Sequence, residues 1–152
     1  MADIRVTHGL RPTSIGEPVG VQVNTFGLQR LEGITGEDLA PILLRALEPV
    51  KEGVQRDWPR DTGASGDTIR TEVDEIGPVR ARASLRVGGD ELRRDPRNRK
   101  GIDYAPFIEF NGSPGGTPPG TILYNFSVNR AEMRRAIHEG VRQLLLSRLG
   151  GG

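Results

Sequence analysis

The chain contains no cysteine, which excludes disulfide bonds and thiolate metal sites and leaves its redox compartment open. Lysine is almost missing: of 21 basic residues, only Lys51 and Lys100 are not arginine. Such a bias suits interfaces, where the guanidinium fork pairs bidentately with carboxylates. Aromatic residues make up 5% of the chain, so a core must be built from Leu, Ile, Val and Ala. No segment approaches the roughly 18 uninterrupted apolar residues that a membrane-spanning helix needs. The opening MADIRVTHGLRP lacks the apolar run of a signal peptide. The expectation is a soluble chain made in the cytoplasm, without membrane contact. A formal charge of +1 supplies no global field to steer nucleic acid.

What the chain does have is enough length for one domain, 152 residues, and many turn formers, 21 glycines and 11 prolines. Hydrophobic periodicity divides it. Residues 1–18 form an arm or an edge strand. Val19, Val21 and Val23 alternate with polar or small neighbours, which predicts a strand over 19–26. Leu39, Ile42, Leu43, Ala46, Val50 and Val54 recur at helical steps. Asp38 is the expected N-cap of that helix, Pro41 falls in its first turn, and Pro49 should kink or split it near Arg45.

A tight turn is expected over 61–66, followed by a single helical turn through Thr68 and Ile69. Residues 71–76 and 79–87 alternate as a β-hairpin, with Gly77-Pro78 between them and a wet face lined by Arg80, Arg82, Ser84 and Arg86. The stretch 88–100 is polar and basic and predicts a mobile loop or flap. Residues 104–110 are a helical turn or a strand, and 121–128 predict a further strand. Met133, Ile137, Val141, Leu144, Leu145 and Leu149 form the stripe of a second long helix, which Asn129 can cap and three glycines stop. The pattern predicts an α+β domain over 19–149. Its small, mostly antiparallel sheet carries two long helices packed on one face, with long loops, an N-terminal arm and a flexible tail over 150–152.

The sharpest catalytic signal is Asp61-Thr62-Gly63-Ala64-Ser65, the triplet and small-residue tail of an aspartic protease. One copy in a short chain suits a homodimeric retroviral-type enzyme, in which two carboxylates share a proton. The residues before it, Gln55 to Arg60, are not the apolar strand such an enzyme needs. The competing reading is a turn capped by Asp61 and Thr62, with Gly63 supplying positive φ. His8 and His138 are the only histidines, no metal-ligand spacing occurs, and no cofactor motif is present. The basic run Arg93, Arg94, Arg97, Arg99 and Lys100 reads as an interface flap, a phosphate contact or a solvated loop. No aromatic residue interleaves with those charges, so base stacking is unsupported.

The order of these pieces resembles a known family. A helix ends in Pro59, followed by Asp61-Thr62-Gly63 and then Thr68-Ile69. A hairpin ends in Val87-Gly88, and a loop leads to Tyr104-Ala105 and Glu109-Phe110. This is similar to the tail-completion, head–tail joining (minor tail) proteins of long-tailed bacteriophages and gene-transfer particles, over residues 39–112. Ser65, Thr68 and Asn111 depart from the family pattern, and Ile122-Leu123-Tyr124-Asn125-Phe126 replaces a Pro-Phe before the last helix. The resemblance implies a non-enzymatic virion protein of the neck or tail. It implies a homo-oligomeric ring, a hexamer, between head-side connector or stopper proteins and the tail terminator or tail tube, with non-specific DNA contact. The basic run and Arg80, Arg82 and Arg86 would then meet acidic surfaces of neighbouring rings. Reversing the charges of Arg97 and Arg99 is expected to leave the monomer folded and block assembly.

Overall fold

The computed structural model describes residues 3–6, 18–24, 33–60 and 62–150. Strand β1 (Asp3–Val6) pairs with β2 (Val19–Asn24), β2 with β4 (Ala81–Val87), and β4 with β3 (Arg70–Ile76), all antiparallel. The sheet therefore has the order β1-β2-β4-β3. Period-two alternation puts Val19, Val21 and Val23 opposite Val87, Leu85 and Ala83 on one face, where all six are buried. Gly20 of β2 lies so close to β4 that a Cβ there would overlap the Leu85 carbonyl. The first strand occupies one edge of the sheet. The remainder of that arm and the end of the predicted 19–26 strand lie outside the described residues.

Helix α1 (Gly36–Asp57) covers the valine face, and its buried stripe includes Leu39, Leu43, Leu47, Val50 and Val54. Its cap is Thr35, not Asp38. Thr35 is extended and its Oγ1 accepts from the Asp38 amide at 3.3 Å, while the Asp38 carboxylate accepts from the Thr35 amide at 2.9 Å. That reciprocal pair is a capping box, with the acid three residues inside the helix. Pro41 consequently lies beyond the first turn. The helix also runs unbroken through Pro49. An interior proline costs about 3 kcal/mol, whereas each fully buried Leu or Val contributes about 1.5–3 kcal/mol. Burial outweighs the lost hydrogen bond, and Arg45, whose carbonyl is freed, is exposed to water.

A 3₁₀ turn (Gly66–Thr68) leads into β3. The hairpin follows, with a bulge between Val73 and Glu75. The stretch predicted as a mobile flap is instead organised. It holds helix α2 (Asp90–Arg94), Leu92 is fully buried, and the Asn98 amide donates to the carbonyls of Leu92 and Ile102, both at 2.7 Å.

Helix α3 (Ala105–Asn111) settles the open choice over 104–110, and Gly112 ends it with φ +78°. Residues Thr121–Val128, predicted as a strand, are helix α4. Ile122 and Phe126, four residues apart, are buried together. The helix start is capped from outside by Glu109, a partner that local sequence does not show.

The last helix, α5 (Arg130–Gly150), packs on α1 through Met133, Ile137 and Val141. A Cβ on Gly140 would press into the Ile42 side chain, which marks how closely the two helices cross. Asn129 does not turn its side chain to this helix; its amide donates back to the Asn125 carbonyl at 2.8 Å. The molecule is α+β, with a four-stranded antiparallel sheet and its helices layered over the valine face.

Candidate functional site

The segments that carry the resemblance meet at one junction. Trp58 ends α1, donating its amide to the Val54 carbonyl at 2.8 Å, and takes the extended backbone that a following proline favours. Its indole N–H donates to Ser65 Oγ at 2.9 Å inside the protein. Thr68 Oγ1 donates to the Ser65 carbonyl at 2.6 Å and accepts from the Gly88 amide at 2.8 Å. Arg70 spans the same gap, donating to the carbonyls of Thr68 and Gly88 at 2.9 and 3.0 Å. The Asp103 carboxylate accepts from the amides of Gly89 and Ala105. Burial raises the Asp103 pKa above the ordinary carboxylate value, against the pull of those two amides.

Gly88 sits at the centre with φ +89°, and a Cβ there would collide with Asp103 and Ala105. The Val-Gly end of the hairpin, the turn before β3 and the Tyr-Ala start of α3 thus hold one another. Ile69, Val87 and Ala105 are buried beneath them. Buried polar groups satisfied this completely fix one arrangement of the three segments.

Glu109 is a second node. It is 2% exposed, and its two carboxylate oxygens accept from the amides of Ile122 and Leu123 at 2.9 and 3.1 Å. The first turn of α4 carries unsatisfied N–H groups and positive dipole, so a carboxylate belongs there. Burial nonetheless raises the Glu109 pKa, outweighing the two amides. The Glu109 carbonyl also accepts from the Gly120 amide at 2.7 Å, which closes the Gly112–Gly120 loop on itself.

Asp61 lies outside the described residues. Thr62 is exposed, its Oγ1 accepts from the Ala64 amide at 3.2 Å, and Gly63 has φ +80°. These residues form the turn between a helix and the 3₁₀ turn, not the end of a strand. Among the described residues, no cluster of three or more His, Cys, Asp or Glu side chains could hold a metal. His138 is exposed on α5 and His8 is outside the described residues. No helix among the described residues is long and apolar enough to cross a membrane.

Several of the arginines expected at an interface pair with acids of the same chain. On the hairpin, Glu75 pairs with Arg80 at 2.8 Å and with Arg82 at 3.5 Å. Arg86 pairs with Glu72 at 2.8 Å and Asp74 at 2.9 Å. Asp74, from the bulge, also accepts from Ser84 Oγ and from the Gln22 amide, both at 3.0 Å, and so links three strands. The wet face is charge-balanced, not free and cationic.

In the 93–100 run, Arg93 pairs with Asp90 at 3.1 Å. Arg97 joins Asp95 at 2.7 Å and Asp67 at 2.8 Å. The Arg97 hydrogen bonds pull the Asp95 pKa down to about 2. Reversing Arg97 would set a third carboxylate against Asp67 and Asp95, so it would disturb the loop as well as any surface. Arg94, Arg99 and Lys100 remain exposed without a partner among the described residues. Arg97, Arg99, Lys100, Thr62 and Tyr104 line an open cleft of about 700 Å³.

The sequence pattern did not single out Arg70, Asp74 and Asp103, nor the pairing of Trp58 with Ser65. An Asp two residues before a helical Ala was the available signal for Asp103, since Asx turns use that spacing. No family model, curated protein or solved structure matches this chain.

Proposed function

We propose that this chain is a structural subunit of the neck or tail of a long-tailed bacteriophage or related particle, joining head to tail as a member of a homo-oligomeric ring, a hexamer. The observation that carries this reading is the convergence of the motif residues. Pro59, Thr62-Gly63, Ile69, Tyr104-Ala105 and Glu109-Phe110 belong to segments far apart in the chain. Their order gives the resemblance, and the turn after Pro59, the Val87-Gly88 strand end and the start of α3 are joined around Gly88.

The surface also supports an assembly role. Phe107 and Tyr124 are each 61% exposed, and Val128, one turn beyond Tyr124 on α4, is 58% exposed. Exposed large apolar side chains, Phe107 on α3 and Tyr124 with Val128 one turn apart on α4, suit contacts with other proteins. In this reading the protein acts without cofactor or turnover, in the virion. Its neighbours are connector or stopper proteins on the head side and terminator or tube proteins on the tail side. Arg94, Arg99 and Lys100 meet acidic neighbours or, non-specifically, DNA phosphates.

The test is deletion of the gene from its source genome, with the lysate examined by negative-stain electron microscopy. Filled heads beside separate finished tails are expected. Normal particles would overturn the joining role, and immature heads would redirect attention to processing chemistry at Asp61.

A further inference from the structure

We propose that the solvent face of α5 docks on the solvent face of α1 in a second copy of this chain, basic helix on acidic helix. The proposal rests on the ring-subunit reading and names the two surfaces that such a ring would join.

On α5, the side opposite the buried Met133, Ile137 and Val141 carries Arg135, His138, Arg142, Leu146 and Leu149 at three- and four-residue steps, all exposed. Glu139, four residues after Arg135, borders that stripe and is paired with Arg142. Arg130, Arg134 and Arg135 have no carboxylate partner among the described residues. Arg142 meets only Glu139 of its own helix, at 3.3 Å, with both side chains largely in water. Leu146 and Leu149 are 53% and 81% exposed.

On α1, the exposed residues Glu37, Pro41, Arg45, Glu48, Glu52 and Gln55 recur at the same steps. Glu48 and Glu52 are one turn apart and unpaired among the described residues, as Arg130 and Arg134 are on α5. Like charges one turn apart destabilise a helix. An opposite charge from outside relieves both pairs at once. The contrast with the hairpin is direct, because there each arginine has an acid of the same chain beside it.

The helices match in length, 22 and 21 residues, so at 1.5 Å per residue about 30 Å of each can lie side by side. Leu146 and Leu149 would find Pro41 and the half-buried Leu44. Leucines on the stripe favour a protein over a phosphate backbone, which offers them nothing apolar. Two different surfaces of one chain make a head-to-tail contact, which closes into a ring when the rotation permits.

The experiment is a charge swap read by sedimentation velocity. One variant carries Arg134→Glu and Arg135→Glu; the other carries Glu48→Arg and Glu52→Arg. All four positions are exposed on helices, and circular dichroism checks that both variants fold. Wild type is expected to associate, each variant alone to associate at least about tenfold more weakly, and an equimolar mixture to recover. A wild-type oligomer that ignores the reversals, or a mixture that does not recover, overturns this pairing and leaves the ring reading standing. A wild type that stays monomeric overturns the pairing too, while the deletion lysate still judges the joining role. Salt-sensitive retention of short duplex DNA by such a monomer, abolished by the arginine reversals, would assign the α5 face to phosphates instead.

Discussion

Glu109 shows how much one side chain can decide. It lies in a short apolar run where a buried charge is unexpected, yet it supplies the cap that α4 lacks locally. Its folded pKa is raised above the ordinary 4.5 by burial. The folded protein therefore holds this proton more tightly than the unfolded chain does. Its contribution to stability is fully present below the ordinary value and is lost as pH rises through the folded pKa. Glu109→Gln keeps an acceptor and removes the titration. Urea unfolding at stepped pH should show wild type losing stability relative to the variant as pH rises from below 4.5, then levelling. Parallel profiles would mean that the Glu109 environment does not shift its ionisation. Asp95 runs the other way. Its pKa is held at about 2, so its small, solvent-screened contribution is present above 3.8 and is lost as pH falls.

At the scale of elements, α1 organises the molecule, and glycine marks where its partners come closest. A Cβ on Gly53 would run into the Asn125 side chain of α4. That side chain cannot swing aside freely, because its Nδ2 donates to Asp57 at 3.1 Å and to the Thr121 carbonyl at 2.9 Å. Alanine in place of an interior helical glycine normally stabilises by about 1 kcal/mol, whereas overpacking costs about 1–3 kcal/mol. The clash should win: Gly53→Ala is expected to destabilise by about 1–2 kcal/mol in denaturant unfolding. A more stable variant would mean that α4 is loosely held. The helical state of α4 itself was not legible locally. Its β-branched and aromatic residues favour a strand, and Glu109, the buried Ile122 and Phe126, and the Asn125 hydrogen bonds to Asp57 and Thr121 oppose that preference.

Across the whole molecule, the first turn of α1 meets the last turn of α5 through Asp38 and Arg148 at 2.6 Å. The Asp38 pKa is lowered chiefly by the Thr35 amide, with Arg148 contributing less. The capping box, not the ion pair, should therefore carry more of the stability. Thr35→Ala is expected to cost about 1 kcal/mol, and Arg148→Ala less than that, because the arginine side chain is 42% exposed. Thermal unfolding of the two variants gives the ranking. The reverse order would make the long-range pair the principal clamp.

The sequence by itself determined the elements whose signal is repeated along the chain: the α1 and α5 stripes, the valine strand and the hairpin. Each of those residues must face one core, so periodicity and burial carry the same information. It also held the order of the Trp-Pro, Val-Gly and Tyr-Ala segments. Only the tertiary structure decided that these segments meet at Gly88, that Thr35 rather than Asp38 caps α1, and that residues 121–128 are helical. It also decided that the hairpin arginines are paired with their own chain, while Arg130, Arg134 and Arg135 of α5 have no carboxylate partner among the described residues. Apart from the Thr35 cap, which rests on a bond three residues away, those outcomes depend on hydrogen bonds and ion pairs between residues distant in sequence. A single polar contact has no period to betray it before the chain has folded.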